Sequence, residues 1–369
     1  MPMAYTLHGF LHRPVDRSPP ETPYPGVSIL KPLTGEDPNL ASNLETFFTL
    51  DYPTYELLFC VEDERDPAVM LVNSLLEKYP HVDARLFTGG MRVGVNPKIN
   101  NMQPGYLAAR HPFLLISDAG IRMREDTLLD MMQHMRDDVA IVHQMPFTYD
   151  AEGFAAVYEK VFFGCSQARM YLTADLLGIN CHVGMSSMVR RAALEAAGGL
   201  AAFAEVLAED YFLARALLAA GWRLRVCSQP ALQNAGARSV TGLQARLARW
   251  ARLRAAMMPA TFLLEPLSEC MPLGAGAAWA AGRLLGWQPG AVFLVHVLAW
   301  FLSDWLLLRS VGGAAPGKVR FLLGWAWAEV CAPVLLAAAV LRPDITWRAR
   351  RYRLDWGGRA HEIKPKLKF

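Results

Sequence analysis

Three apolar stretches near the carboxyl terminus, Met271 to Trp287, Ala291 to Leu308 and Phe321 to Leu341, constrain this 369-residue chain more than any other feature. Each approaches the ~17 to 25 residues that a helix needs to cross a bilayer, and a helix buried in a soluble core rarely stays apolar that long. Each also holds one ionisable residue, Arg283, Asp304 and Glu329. Leaving such a group in hydrocarbon costs about 2.5 to 3.5 kcal/mol, so the three are expected to face one another, water or the rest of the protein. Arg309, Lys318 and Arg320 lie between the last two stretches, and Arg342, Arg348, Arg350, Arg351 and Arg353 follow them. The preference of basic residues for the cytosolic side pulls both clusters the same way, which three complete crossings do not satisfy. Either one stretch is re-entrant or interfacial, with Pro333 a natural break, or one end of the region lies across the membrane.

Ahead of residue 255 the character changes to short apolar runs between charged loops. Residues 1–25 read as an extended segment, proline-rich from Pro14 to Pro25, with neither a secretory leader nor a membrane span. The division expected is residues 26–255 as a catalytic domain ending in an interfacial helix, 256–341 as a membrane region of about three apolar segments, and 342–369 as a basic cytosolic tail. At 53% apolar and 19% charged the chain is too greasy to be disordered. Its net charge of only +3 leaves no surface for neutralising a nucleic-acid backbone, so no nucleic-acid partner is expected. The six cysteines form no CxxC pair, which argues against a zinc site or a disulfide framework and for buried thiols, Cys181 included.

Strand-like runs at Gly26 to Leu30, Tyr55 to Val61, His111 to Ile116 and Val139 to His143 alternate with helical patterns at Asn39 to Thr49, Pro67 to Tyr79 and Asp126 to Met135. That alternation predicts an α/β fold whose mostly parallel sheet has helices on both faces and holds ligands beyond the strands' carboxyl ends. Two acidic segments sit at such ends: Glu62-Asp63-Glu64 after the second strand and Asp118-Ala119-Gly120 after Phe113 to Ser117. Asp118 reads either as an oxygen ligand for Mg²⁺ or Mn²⁺ on a diphosphate or as a solvated turn acid. No P-loop, GxGxxG, GxSxG or HExxH pattern occurs. Glu209-Asp210 opens a helical run, where acids also serve as caps. In Gln244 to Trp250, helical spacing puts Arg246, Arg249 and Trp250 on one face. That face suits either a diphosphate clamp or an amphipathic helix on a bilayer.

Taken together, these segments resemble the ceramide glucosyltransferase family, whose successive Asp, Asp, Asp and (Q/R)xxRW motifs fall on Asp63, Asp118, Asp210 and Arg246 to Trp250. Leu30 to Leu33, Asn43 to Phe48, Asn96 to Asn101, Ala208 to Phe212 and Arg351 to Leu354 look like family sequence as well, so the resemblance covers roughly residues 25 to 363. It implies a GT-A type fold, transfer of glucose from UDP-glucose to ceramide with inversion, and a cytosol-facing site on a multi-pass Golgi membrane protein. Carried over, Asp63 contacts the uridine part, Asp118 holds Mg²⁺ or Mn²⁺, and Lys98, Arg246 and Arg249 offset diphosphate charge. Asp210 is the general base, and Trp250 either lines the acceptor subsite or packs its helix. The chain departs from the family pattern in lacking a span before Lys31 and in reading Ser166-Gln167-Ala168-Arg169 where the family has Ser-His-Pro-Arg, although His182 follows nearby. Another lipid glycosyltransferase of the same fold would keep the acids and the RxxRW. A polymer synthase would need more helices, and a catalytically dead scaffold would not need the acids.

Overall fold

The computed structural model describes residues 11, 13–18, 22–149, 152–179, 182–236, 239–312, 315–347 and 350–363. Two compact units divide the chain: residues 1–151 with 167–237, and residues 152–166 with 238–369. The first unit begins with β1 (Val27–Leu33), α1 (Leu40–Glu45), β2 (Tyr55–Val61), α2 (Pro67–Lys78), β3 (Ala84–Thr88), α3 (Pro97–Ala108) and β4 (Phe113–Ser117). After the short β5 (Ile121–Arg122) come α4 (Thr127–His134), β6 (Val139–His143) and β7 (Pro146–Thr148), whereas α5 (Phe154–Val161) belongs to the second unit. The first unit closes with α6 (Ala168–Leu177), β8 (Ser186–Arg190), α7 (Arg191–Ala196), α8 (Glu209–Ala219), β9 (Arg223–Val226) and β10 (Ala231–Gln233).

Seven strands form one sheet in the order β3-β2-β1-β4-β8-β6-β9, all parallel except β8, which runs against β4 and β6. This is the mostly parallel GT-A arrangement expected, with β3, β8 and β9 the strands of this sheet that the sequence reading did not pick out. Because side chains alternate across a pleated strand, each strand feeds two layers. Val27, Ile29, Leu57, Phe59 and Leu115 pack with Leu44, Val72 and Leu128 of α1, α2 and α4. Leu30, Leu58, Cys60 and Leu114 pack with Ile99, Met102, Leu194 and Leu217 of α3, α7 and α8. Helix α3 lies so close to β2 that a Cβ on Gly105 would come within 2.6 Å of Cys60 Sγ. Asn96 starts α3 by accepting from the amides of Lys98 and Ile99, with Pro97 at the first helical position.

In the second unit, α5 is joined by α9 (Val240–Met257), which the sequence reading grouped with the catalytic domain, then α10 (Pro259–Leu264), α11 (Cys270–Leu285), α12 (Pro289–Val311) and α13 (Lys318–Leu341). A small antiparallel sheet follows, β11 (Ile345–Trp347), β12 (Arg350–Leu354) and β13 (Ala360–Glu362). Among the described residues two helices, α12 and α13, are long and apolar enough to cross a bilayer, and only 11% and 28% of their most apolar windows is buried. Such greasy exposed surface makes the chain membrane-associated. The third expected stretch forms α11, which at 16 residues is short for a crossing. Pro333 does not break its helix, since α13 runs on through it. As expected, the intramembrane acids turn toward protein: Asp304 accepts from Trp325 Nε1 at 3.0 Å, and Glu329 from the Met271 amide at 3.3 Å. Cys60, Cys165, Cys227, Cys270 and Cys331 are buried, as expected, and Cys181 lies outside the described residues.

Candidate active site

Strands β2 and β4 end at Val61 and Ser117 on either side of β1, and antiparallel β8 starts at Ser186, paired with Ser117. One edge of the sheet therefore collects the loops bearing Asp63, Asp118 and Gly184. With strands ~4.8 Å apart, the Asp63 and Asp118 loops leave the sheet about 10 Å from each other. Asp63 is exposed and its Oδ1 accepts from the Arg65 amide at 2.9 Å, so its own turn holds it at the rim.

Lys98, near the start of α3, ties the other acids together. Its Nζ lies 2.8 Å from Asp118 Oδ1 and 3.2 Å from Glu209 Oε1, and it donates to the Gly184 carbonyl at 2.9 Å. An ammonium has three donors, and all three are directed at this protein's own acceptors. Burial alone would depress the Lys98 pKa, but Asp118 and Glu209 more than reverse it and the group stays charged. Burial pushes the Glu209 carboxyl up, Lys98 pulls it back and Asp210 raises it further. Asn96 holds the second Glu209 oxygen at 2.9 Å.

Asp210 sits in the first turn of α8. Its Oδ2 accepts from the Gly184 amide at 2.7 Å and its Oδ1 from the Tyr211 amide at 2.8 Å. Gly184 thus contacts Lys98 through its carbonyl and Asp210 through its amide, which links three of the residues read from the sequence, Lys98, Asp118 and Asp210, in one network. His182 Nδ1 is 3.1 Å from the Asp210 carbonyl oxygen. A carbonyl only accepts, so Nδ1 carries the proton. Burial holds the His182 pKa down against the pull of Asp210. The ring of buried His143 meets that of His182 edge-on at 5.2 Å, and burial drives its pKa well below the ordinary value.

Lys31 of β1 lies under the same edge. Its Nζ donates to the Asp118 carbonyl at 2.8 Å and lies 3.9 Å from the centre of the Phe47 ring, while burial lowers its pKa to about 7. Glu209, Gly184, His182 and Lys31 are the site neighbours to which sequence reasoning gave no part. Two of them, Lys31 and Glu209, stood inside segments already matched to the family, and that was the available signal.

Arg246, Arg249 and Trp250 lie on α9 of the second unit. Arg246 is ion-paired with Glu159 and stacks over the rings of Trp250 and Phe163, 5.3 and 5.6 Å from their centres. Arg249 lies over the Trp347 ring at 6.0 Å. Trp250 packs against the cluster of Tyr158, Leu243 and Leu247 and lies beside the rings of Phe162 and Phe163.

Among the described residues no three His, Cys, Asp or Glu side chains are grouped to hold a metal by themselves. Asp118 offers a carboxylate whose side chain is 39% exposed. One accessible carboxylate suits a hard divalent ion that takes its other ligands from water and substrate phosphates, as Mg²⁺ and Mn²⁺ do, and does not suit a resident metal cage.

The family model for glycosyl transferase family 21 matches residues 1–360. Ceramide glucosyltransferase 3 of Caenorhabditis elegans is 43% identical over 346 residues, which cover 93% of this chain and 75% of that protein. Ceramide glucosyltransferase 1 of the same organism is 42% identical over 362 residues, covering 97% and 77%. A solved structure of the mannosyltransferase PcManGT from Pyrobaculum calidifontis, in complex with GDP-Man and Mn²⁺, is similar at a TM-score of 0.48 and 17% identity, covering 92% of this chain and 93% of that one. Matched over nearly its whole length, the chain belongs to glycosyl transferase family 21, together with the ceramide glucosyltransferases it resembles.

Proposed function

We propose that the first unit transfers glucose from UDP-glucose to the primary hydroxyl of ceramide with inversion, yielding glucosylceramide. The relatives' names support the acceptor and the sugar. The observation that carries the reading is the convergence of Asp118, Glu209 and Asp210 on Lys98 and Gly184 at the sheet's ligand-binding edge.

In the reaction, the ceramide hydroxyl attacks C1 of glucose from the face opposite UDP, Asp210 takes the hydroxyl proton, and the UDP oxygen leaves with the bonding electrons. Gly184 and Tyr211 fix the Asp210 carboxylate so that it meets the hydroxyl already oriented. Asp63 at the rim takes the uridine part. Asp118 would hold Mg²⁺ or Mn²⁺, and the bound ion would offset charge on the departing diphosphate. Lys98 positions Asp118, Glu209 and the Gly184 loop, and its charge adds to the field at the diphosphate. Arg246 and Arg249 are assigned to the diphosphate and Trp250 to the acceptor, on the strength of the family motif alone. We place the protein in the Golgi membrane as a multi-pass protein with this site toward the cytosol.

The test is UDP release by the purified protein in phosphatidylcholine vesicles, with and without ceramide and with Mg²⁺ or Mn²⁺, with the lipid product weighed by mass spectrometry. Ceramide-dependent release with a hexosylceramide product is expected. Release that needs a different lipid selects another lipid glycosyltransferase, and failure to bind UDP selects a dead scaffold.

A further inference from the structure

Helix α6 ends in an unusual surface. Its inward face is Ala168, Tyr171 and Ala174, with the Tyr171 ring 5.6 Å from that of His143. Asp175 anchors the last turn to β9, accepting from the Val226 amide at 3.2 Å and pairing with Arg225 at 3.5 Å. The helix is therefore fixed to the sheet, yet the residues immediately beyond that anchor are large, aliphatic and open: Leu176 is 82% exposed, Leu177 63% and Ile179 59%. Met170, two turns before Leu177 on the same face, is exposed as well. Single exposed leucines are ordinary, but four large apolar side chains in ten residues form a patch that water does not favour.

In sequence the patch lies just ahead of the active-site loop. Ile179 and His182 are three positions apart, a reach of at most ~11 Å. His182 bonds the Asp210 carbonyl, and Gly184, two residues on, bonds its carboxylate. We propose that Met170, Leu176, Leu177 and Ile179 form a lip that dips into the boundary between headgroups and acyl chains, so that a lipid acceptor presents its hydroxyl to Asp210 while its tails stay in the bilayer. The occupant is membrane lipid. The chain is already membrane-associated through α12 and α13, the three residues nearest the site, Leu176, Leu177 and Ile179, are aliphatic with no aromatic anchor of the kind that dominates protein interfaces, and a two-chain acceptor is met more cheaply at the membrane surface than drawn out of it. This deepens the proposed function and rests on it for the acceptor.

Two measurements test it on the full-length protein in phosphatidylcholine nanodiscs. First, Leu177→Cys in a Cys181→Ser background is labelled with the fluorophore NBD, and Met70→Cys, on an exposed position of α2, serves as the aqueous control. Blue-shifted emission at position 177, quenched by doxyl-labelled lipid, is expected. Unquenched emission like that at position 70 overturns the lip, as does quenching that appears only when the protein self-associates. Second, the combined Leu176→Ser, Leu177→Ser, Ile179→Ser variant is expected to raise KM for long-chain ceramide about tenfold with kcat unchanged, while turnover of a dispersed short-chain ceramide stays as in the parent. Equal loss on both acceptors overturns the proposal. If the parent protein makes no hexosylceramide, the proposed function fails and the fluorescence alone decides the lip.

Discussion

Gly184 and Asp210 approach so closely that a Cβ on the glycine would lie 2.9 Å from the Asp210 Cβ and 3.2 Å from its Oδ2. The aspartate can therefore take the Gly184 amide as a partner only because no side chain stands between them. Gly184→Ala is expected to shift the carboxylate rather than unfold the sheet, since overpacking of one methyl costs ~1 to 3 kcal/mol and the loop can give. Misplacement of about 1 Å at a reacting group costs ~10²-fold in rate. Transfer assayed beside UDP affinity checks this: kcat should fall with the UDP Kd nearly unchanged, and parallel losses in both would refute the positioning role.

Asp210→Asn keeps the shape and removes the base. General-base assistance is worth ~10² to 10⁴-fold, so hexosylceramide formation should fall by that range while UDP still binds. A variant that turns ceramide over at the parent rate would take Asp210 out of the proton transfer.

Lys98 is the cation on which the network depends, and its deletion should therefore cost more than that of an exposed lysine. Lys98→Met leaves Asp118 and Glu209 without their common partner, and breaking a buried pair from one side costs ~3 to 5 kcal/mol. The doubly changed Lys98→Met, Glu209→Gln protein removes the stranded charge and should recover part of the lost thermal midpoint. Equal midpoints for the single and double variants would show that Lys98 does not hold Glu209.

Acid should loosen the first unit through its buried imidazoles. His143 and His182 have folded pKa values below the ordinary 6.5, because burial disfavours their charged forms. Below pH 6.5 the unfolded chain takes up protons that the folded one refuses, so stability is full above that value and is lost as pH falls toward the folded pKa values. The slope is up to about 1.4 kcal/mol per pH unit for each histidine. Thermal midpoints measured from pH 5 to 8 should drop on the acid side, and His143→Gln should flatten the drop. An unchanged slope in that variant would assign the acid lability elsewhere.

Much of this architecture could be read from residue order because the strands are short apolar runs that end in acids, and a parallel sheet puts such ends on one edge. Asp63 and Asp118 were legible for that reason, whereas Asp210, in the first turn of α8, could be picked out only through its place in the family motif. What stayed hidden depends on long-range partners. Strand β8 begins two residues after Gly184 and runs antiparallel, and nothing local announces either its direction or the role of the glycine. Lys98 was legible as a charge but not as the partner of Glu209, 111 positions away, nor was His182 legible as the donor to Asp210, because pairing of that kind is set by the sheet order. Pro333 misled for a different reason: a proline costs a helix one hydrogen bond, and in an apolar setting the alternative of an unwound, unpaired backbone costs more.

The unbroken α13 also settles which ends of the second unit are far apart. Its 24 residues extend ~36 Å, which separates Arg309, Lys318 and Arg320 at one end from Arg342 and the basic β12 at the other. Because Arg249 of α9 stacks on Trp347 of β11 and the Gly357 amide bonds the Ala256 carbonyl at 3.0 Å, the carboxyl-terminal sheet lies against α9. The basic-residue preference placed both clusters on the cytosolic side, whereas a spanning α13 puts them on opposite sides. Single cysteines introduced as Lys318→Cys and Arg359→Cys, probed with a membrane-impermeant maleimide in sealed vesicles, should be labelled from opposite faces. Labelling of both from one face would make α13 re-entrant despite its length, and the charge rule would then have outweighed the helix.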